Sequence, residues 1–305
     1  MRIEYLLPNC CVTNADLVKL YPEWTEEKIF SKTGIASRFV TSKNEDTLDL
    51  AEKACLKLFE SGVDAKTFDF VLLGTQSPRY KLPSSACILQ HKLGIPTTAG
   101  ALDYDLGCSG FVYGLAMAKG LVKGGIAKNV LLVTAETYTK YIGEMDKSTR
   151  TIFGDGAAAT LIDESTVEHI GEFALGTDGS GAEKLILRDG EHLFMDGPEI
   201  FNFTLDVVPK TMDEICAKNG IPRDEVDLFV FHQANKFMLD TIRKVNLIPR
   251  VKFYVNLEDT GNTVSSTIPI ALKRAEAEGK LKPGMKVMIM GFGVGLSWGG
   301  TILKY

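Results

Sequence analysis

A cysteine in a glycine-flanked turn is the first residue of this sequence whose type and position could do chemistry. Cys108 follows a predicted strand at 101–106 and precedes an apolar helical stretch that begins at Phe111. Free N–H groups and the dipole at the start of a helix lower the pKa of a nearby thiol and favour the thiolate. Most intracellular cysteines are small buried hydrophobic residues, and we interpret Cys55 and Cys87, on apolar helical faces, in that way. For Cys108, a role as nucleophile and a role as a buried structural residue fit the position equally well.

One of the four histidines also lies where catalytic groups collect. His232 ends the apolar strand 228–231 and opens a polar stretch before a helix. The carboxyl ends of strands in α/β proteins line the cleft that holds catalytic side chains. The remaining histidines lie in polar or mixed sequence and are interpreted as ordinary surface or core residues: His91, His169 and His192.

An asparagine in the second half of the chain has a less specific context. Asn262 follows Gly261, and turn chemistry alone explains an asparagine there. Its position is more informative, because Asn262 lies in the second half of the chain about where Cys108 lies in the first half.

A glycine-rich segment at 290–300 is the next candidate. It lacks the Gly-x-Gly-x-x-Gly spacing, and no helix with a later acidic residue follows, which disfavours a dinucleotide site. Glycines after a strand also bring backbone N–H groups close to a reacting carbonyl, as an oxyanion hole requires. We interpret the Phe-Gly-Asp-Gly-Ala-Ala-Ala stretch at 153–159 as close packing at a domain boundary rather than a phosphate loop.

Strands that alternate with amphipathic helices must position these residues, and this pattern predicts the α/β class. A weak internal repeat relates the strand at 68–75 to the strand at 226–233. It also relates the strand at 101–106, with the turn at Cys108, to a predicted strand at 253–257, with the turn at Asn262. We therefore predict two similar α/β halves, 1–165 with the cysteine and 166–305 with the histidine and asparagine. Packed face to face, such halves place their strand-end loops at one shared cleft.

The composition excludes several classes of protein. The 305 residues carry 34 Lys plus Arg against 39 Asp plus Glu, a net charge of −5, which argues against nucleic-acid binding because such proteins carry a basic excess. The apolar runs are shorter than the ~18 residues of a membrane span, and we expect no secretory signal. The six cysteines show neither a Cys-x-x-Cys pair nor zinc-site spacing. We expect a cytoplasmic protein with reduced cysteines, no metal and no membrane or nucleic-acid partner.

These motifs resemble those of the β-ketoacyl-acyl carrier protein synthase III family of thiolase-like condensing enzymes. The resemblance spans nearly the whole chain, and its most specific part is an ordered set: Gly-Cys-Ser-Gly at 107–110, His-Gln-Ala-Asn at 232–235 and Gly-Asn-Thr at 261–263. Papain-like proteases also use a Cys–His–Asn trio, but this strand order and internal duplication do not suit them. The resemblance implies a thiolase fold, a five-layered αβαβα arrangement built from two similar halves.

The resemblance also implies a reaction, a decarboxylative Claisen condensation in fatty acid or related acyl-chain biosynthesis. Cys108 takes an acyl group from a thioester such as an acyl-coenzyme A, while backbone N–H groups of Cys108 and Val294 hold the oxyanion. His232 and Asn262 then donate hydrogen bonds to malonyl-acyl carrier protein as CO₂ leaves. This chemistry requires no metal or redox cofactor.

Further residues are implied to bind substrates and partners. The implied substrate-binding residues are Trp24, Lys32, Leu82, Lys147, Asn235 and Phe292. The implied carrier-protein-binding residues are Gln233, Lys236, Arg243 and Lys244. The resemblance also implies a homodimer in which the partner subunit's Leu82 reaches the acyl pocket.

Two departures from the family pattern leave the acyl donor open. Lys32 and Lys147 stand where the family has arginines that hold coenzyme A, and Trp24 lies upstream of the family's tryptophan. Lysine lacks the planar stacking contact of arginine, so either coenzyme A or a carrier protein could deliver the acyl group.

The alternative within this fold is an acyltransferase that passes the acyl group from Cys108 to an alcohol or amine, with His232 as the general base. Release of CO₂ from malonyl-carrier protein distinguishes the two. A non-catalytic homologue that only binds carrier protein is disfavoured because all three chemical residues are present. Acylation of Cys108 distinguishes the condensing enzyme and the acyltransferase from this non-catalytic homologue.

Overall fold

A computed structural model describes residues 1–305 and contains 13 strands and ten helices. The strands of the first half are β1 (Arg2–Leu6), β2 (Cys10–Thr13), β3 (Ser37–Val40), β4 (Phe70–Gly74), β5 (Gly100–Tyr104), β6 (Asn129–Glu136) and β7 (Gly156–Asp163). Those of the second half are β8 (Ala174–Thr177), β9 (Leu185–Ile186), β10 (Phe194–Met195), β11 (Leu228–Phe231), β12 (Lys286–Gly293) and β13 (Ser297–Lys304). The helices are α1 (Asn14–Leu20), α2 (Glu26–Thr33), α3 (Thr47–Glu60), α4 (Ser85–Lys92), α5 (Gly110–Lys123), α6 (Lys147–Arg150), α7 (Glu164–Val167), α8 (Gly197–Asn219), α9 (Lys236–Val245) and α10 (Thr267–Ala277).

Two mixed sheets form the framework. The first has the order β1-β7-β6-β4-β5, in which β4 runs parallel to β5 and β6 while β7 is antiparallel to β1 and β6. The second has the order β8-β13-β12-β11, with β11 parallel to β12 and β13 antiparallel to both its neighbours. Four strands of each sheet therefore follow the same order and directions, which is the internal duplication that the sequence repeat predicts.

Helices fill the space between the sheets and cover their outer faces. α5 packs against β4 and β6 on one side and against β12 and β13 on the other, and α10 contacts strands of both sheets. α3 and α4 cover the first sheet, and α8 covers the second. This is the five-layered αβαβα arrangement, and the predicted thiolase fold is confirmed.

The sequence of α5 explains its central position. Its apolar side chains lie on more than one face, as expected for a helix between two sheets, and Phe111, Val112 and Leu115 are buried. Gly114 permits the close approach of β5, since a Cβ there would lie 2.2 Å from the Tyr104 hydroxyl oxygen. The turn that carries Cys108 is therefore held between two packed elements.

Two sequence expectations are wrong. The segment from Phe253 corresponds to β5 in the repeat, yet it does not form a strand and makes only a single bridge, to Phe229. The pairing stops there because the next backbone N–H, that of Asn256, donates instead to the side-chain oxygen of Gln233 at 2.7 Å. Cys87 is exposed rather than buried, since the buried face of the short helix α4 is formed by its neighbours. None of the helices has the length and apolar character needed to cross a membrane.

Candidate active site

A cavity of about 100 Å³ between the two halves brings together the three residues that the sequence singles out. Cys108 comes from the turn after β5, His232 from the end of β11 and Asn262 from the loop before α10. The rest of the wall is mostly apolar: Ile152, Phe153, Leu185, Met195, Gly197, Ile200, Ala234, Asn235, Met238, Phe292 and Gly293. Reacting groups in this cavity are therefore shielded from bulk water.

Cys108 lies beneath strand β12 and is only 7% exposed. A Cβ at Gly293 would lie 2.8 Å from Cys108 Cβ, and one at Gly291 would lie 2.6 Å from the Cys108 carbonyl oxygen. Only glycine at these two positions lets β12 cross the nucleophile so closely. The glycine-rich segment thus positions Cys108 rather than binding a phosphate.

The protonation state of Cys108 differs from the sequence expectation. Burial and the nearby carboxylate of Glu136 raise the pKa of the Cys108 thiol to about 12, although interactions with the N–H groups of Cys108 and Val294 lower it. α5 begins at Gly110 with Ser109 as its N-cap residue, so the sulfur lies one residue outside the helix. The prediction of a thiolate in the resting protein is therefore wrong, because desolvation outweighs the helix start.

His232 is buried and uncharged. Its backbone N–H donates to the Met290 carbonyl at 2.8 Å, which ties the end of β11 to β12. Burial lowers the pKa of His232 to about 3, so the imidazole is neutral near pH 7. Phe292 packs edge-on against the ring, with 5.7 Å between the ring centroids.

Asn262 is held with its amide nitrogen toward His232. The Val264 N–H donates to Asn262 Oδ1 at 2.8 Å, which leaves Nδ2 directed at His232 Nε2, 3.4 Å away. The Asn262 backbone bonds to Ile152 and Gly154 across the domain boundary, at 2.9 and 3.0 Å. This close packing at 153–154 agrees with the sequence interpretation of that motif.

Thr267, which sequence reasoning missed, is the hydrogen-bond partner of His232 Nδ1. Its hydroxyl oxygen lies 2.7 Å from His232 Nδ1 and 3.1 Å from the Val264 carbonyl oxygen. The hydroxyl has one proton, so it donates either to Nδ1 or to the carbonyl. When it donates to Nδ1, the imidazole proton lies on Nε2 and faces the cavity beside Asn262 Nδ2.

Glu136 is a second residue that the sequence did not single out. It ends β6, is fully buried and accepts hydrogen bonds from the Ser77 hydroxyl at 2.8 Å, the Gln76 N–H at 3.1 Å and the Ser265 hydroxyl at 3.2 Å. Burial raises its pKa to about 8 despite these bonds. The signal in the sequence was an acidic residue at the end of an otherwise apolar strand.

The structure brings three of the implied substrate-binding residues together on the surface. The ammonium groups of Lys32 and Lys147 lie 5.4 and 5.9 Å from the centroid of the Trp24 ring, and that of Lys28 lies 5.0 Å from it. Lys147 also pairs with Glu23. These residues form a small basic surface around an aromatic ring.

The other implied residues are distributed more widely. Asn235 lines the cavity and caps α9 by accepting the Met238 N–H at 2.9 Å, and Phe292 also lines the cavity. Leu82 is 82% exposed and lies outside the cavity of its own protomer.

The implied carrier-binding residues divide into two groups. Lys236 and Lys244 are exposed on α9, and Arg243 is half-buried with its guanidinium bonded to the Ile248 carbonyl at 3.2 Å. Gln233 is 1% exposed and donates to the Phe231 carbonyl oxygen at 2.6 Å. The prediction that Gln233 contacts a carrier protein is therefore wrong, because its amide is used inside the fold.

Comparisons with known proteins agree with this geometry. The family model described as 3-oxoacyl-[acyl-carrier-protein (ACP)] synthase III matches residues 102–179, and that of its C-terminal part matches residues 216–305. The chain is 37% identical to a beta-ketoacyl-[acyl-carrier-protein] synthase III from Oceanobacillus iheyensis, over 99% of this chain and 96% of the relative. The corresponding protein of Clostridium perfringens is 38% identical over 92% of this chain and 91% of its own length.

Solved structures give the same result. A crystal structure of a 3-oxoacyl-(acyl-carrier-protein) synthase III superposes with a TM-score of 0.96 at 49% identity, over 99% of this chain and 98% of that one. The synthase III of Thermus thermophilus superposes with a TM-score of 0.92 at 34% identity, over 99% and 98% of the two chains.

Proposed function

Because this chain belongs to the 3-oxoacyl-[acyl-carrier-protein] synthase III family of condensing enzymes, we propose that it joins an acyl group to malonyl-acyl carrier protein through an acyl-Cys108 intermediate. The observation that carries this proposal is one mostly apolar cavity that holds a thiol beside two uncharged side chains able to donate, His232 and Asn262. The enzyme is an acyltransferase of fatty acid biosynthesis. Release of CO₂ from malonyl-acyl carrier protein, together with acylation of Cys108, tests it.

The first step moves the acyl group onto Cys108. The sulfur attacks the thioester carbonyl, the N–H groups of Cys108 and Val294 stabilise the oxyanion, and the carbon–sulfur bond to the donor breaks. The proton of the thiol goes to the departing thiolate of the donor. His232 is not the base in this step, since a group whose pKa is about 3 is too weak to take a proton from a thiol whose pKa is about 12.

The second step removes CO₂ from the malonyl group. As the carbon–carbon bond breaks, its electron pair moves toward the thioester carbonyl and forms an enolate. His232 Nε2–H and Asn262 Nδ2–H donate to that oxygen, and the 3.4 Å between these nitrogens lets both reach one acceptor. The enolate carbon then attacks the acyl carbonyl, the bond to Cys108 sulfur breaks, and the thiolate takes a proton from solvent.

The same geometry argues against transfer of the acyl group to an alcohol or amine. That reaction requires a base to remove a proton from the acceptor, and efficient bases have a pKa near the working pH. Burial lowers the pKa of His232 to about 3, and no other histidine lines the cavity. The condensation needs a neutral donor, which is the form that burial favours.

Thr267→Val is expected to lower the rate of CO₂ release about tenfold. In the Nε2–H tautomer that decarboxylation uses, the Thr267 hydroxyl donates to His232 Nδ1. The variant loses this hydroxyl, and such a bond stabilises that tautomer by about 1–1.5 kcal/mol. Thr267→Ser keeps the hydroxyl and is expected to restore most of the rate. Initial rates of CO₂ release from malonyl-acyl carrier protein measure both variants. Equal losses in the two variants would show that Thr267 acts through packing alone.

The surfaces for the two thioesters are also part of the proposal. Trp24 with Lys32 and Lys147 offers an aromatic face and positive charge to the adenine and phosphates of coenzyme A. Lys236 and Lys244 on α9 offer positive charge to an acidic carrier protein.

The reaction draws on no metal or redox cofactor, and the reduced cysteines suit the cytoplasm.

We include a homodimer in the proposal because β5 ends the first sheet with an unpaired edge. Leu102 in the middle of this strand is 40% exposed, and Leu82, in the loop before α4, is 82% exposed. Unpaired apolar edges are normally covered. A second copy that adds its own β5 here covers Leu102 and brings Leu82 of the partner subunit toward the acyl site.

Sedimentation is expected to give a species of about twice the 33.4 kDa chain mass at micromolar concentration. Leu102→Asp places a charge on the paired edge and is expected to yield the monomer. Leu247→Asp is the matched control, since Leu247 is 87% exposed far from β5. A monomeric wild type, or a Leu102→Asp protein that stays dimeric, contradicts this interface.

A further inference from the structure

A second cavity, of about 300 Å³, adjoins the catalytic one. Leu185 lines both cavities, and Val294, whose N–H interacts with the Cys108 sulfur, lines the second. Given the proposed function, on which this inference rests, the acyl group on Cys108 extends into this space. We therefore name it the acyl cavity. Its wall is apolar along Leu185, Leu187 and Leu193, as a binding site for an acyl chain requires.

The acyl cavity also contains an amide that the fold does not satisfy. The Tyr138 hydroxyl donates to Gln76 Oε1 and fixes the orientation of the amide. Gln76 Nε2 then has no partner within the protein and lies at the cavity wall. A Cβ at Gly107 would lie 2.5 Å from Gln76 Oε1, so this amide is beside the residue that precedes the nucleophile. The amide therefore packs against the residue next to Cys108, where the first carbons of an acyl group on Cys108 would run.

Two further polar groups line the same wall without hydrogen-bond partners. They are the Tyr141 hydroxyl and the Asp105 carboxylate. Burial raises the pKa of Tyr141, as do the charges of Glu136 and Asp105, so its hydroxyl stays protonated and able to donate. The cavity therefore presents two donors without protein partners, and an exposed acceptor at its wall, that a plain alkyl chain cannot bond.

We propose that the acyl cavity selects an acyl donor that carries a hydroxyl on its first few carbons, rather than a plain alkyl chain. A hydroxyl accepts a hydrogen bond from Gln76 Nε2 and can donate one to Asp105, whereas an alkyl chain leaves the Gln76 amide without a partner. Sites built to bond a substrate hydroxyl discriminate strongly against analogues that lack it. Because Asp105 is exposed rather than buried, we expect a preference of about tenfold rather than the largest known values.

The test compares 3-hydroxybutyryl-coenzyme A with butyryl-coenzyme A as donors, using kcat/KM for condensation with malonyl-acyl carrier protein. Wild type is expected to prefer the hydroxylated donor about tenfold, and Gln76→Met is expected to reduce that ratio to about twofold or less. Gln90→Met is the matched control, because Gln90 bonds the Ile95 carbonyl in α4, outside the acyl cavity. It is expected to keep the wild-type ratio. Tyr141→Phe, which removes only a hydroxyl, supplies a second variant should Gln76→Met fold poorly, and its ratio is expected to fall as well.

The outcomes separate this inference from the proposed function. Condensation by wild type with an equal or higher kcat/KM for butyryl-coenzyme A overturns the inference and leaves the condensing activity standing. A wild-type preference that survives in both Gln76→Met and Tyr141→Phe overturns the assignment to these residues. If wild type acylates Cys108 but condenses neither donor, the proposed function fails, and this inference fails with it.

Discussion

Cys108→Ala is expected to abolish covalent acylation of the protein and to reduce condensation by about 10⁴–10⁶-fold, the scale on which loss of a nucleophile acts. No other cysteine is placed to replace it. Cys55 is fully buried in α3, and Cys87 is exposed on α4, away from the catalytic cavity. The donors His232 and Asn262 are untouched, so slow release of CO₂ without product is expected to persist and shows that the variant is folded.

Intact-mass measurement after incubation with short acyl thioesters, followed by peptide mapping, checks this result. Wild type and Cys87→Ala are expected to gain one acyl group, and Cys108→Ala none. An adduct of equal yield on Cys108→Ala, or one that maps to another residue of wild type, contradicts the assignment of the nucleophile.

His232→Ala and Asn262→Ala are each expected to lower CO₂ release from malonyl-acyl carrier protein by about 10²–10³-fold, which corresponds to about 3–4 kcal/mol. The enolate oxygen has these two neutral donors, 3.4 Å apart, and the remaining wall of the cavity is largely apolar. Transfer of the acyl group to Cys108 is expected to stay largely intact in both variants. That step uses the N–H groups of Cys108 and Val294, and its proton goes to the departing thiolate.

The two half-reactions are measured side by side, as CO₂ release and as the rate of acyl-enzyme formation. His169→Ala, at an exposed histidine, is the control and should match wild type in both. If His232→Ala loses acyl-enzyme formation by the same factor as CO₂ release, His232 instead acts as the base that deprotonates the thiol.

The sequence predicted the parts of the site that depend on chain order. The duplicated strands place Cys108, His232 and Asn262 at strand ends, and strand ends of two packed halves meet at one cleft. The glycine-rich segment that contains Gly291 and Gly293 also stands out in the sequence. The structure shows why glycine is needed at these two positions: β12 passes directly over Cys108 there.

What the sequence did not predict depends on burial and on contacts between distant residues. The raised pKa of Cys108 results from desolvation and from Glu136, which lies in another strand. Gln233 belongs to a motif that suggests a surface role, yet its amide replaces a missing strand partner inside the fold. Thr267 acts through a single contact across 35 positions of sequence. No periodicity or spacing in one sequence reports such contacts.

One cavity is expected to carry out both acyl transfer and decarboxylation. The most direct test supplies wild-type protein with an acyl thioester until Cys108 is acylated, adds malonyl-acyl carrier protein, and follows CO₂ and 3-oxoacyl product together. One CO₂ and one 3-oxoacyl-carrier protein are expected for each acyl group consumed, with Cys108 returned to the free thiol. A wild type that acylates readily on Cys108 but never releases CO₂ would contradict it.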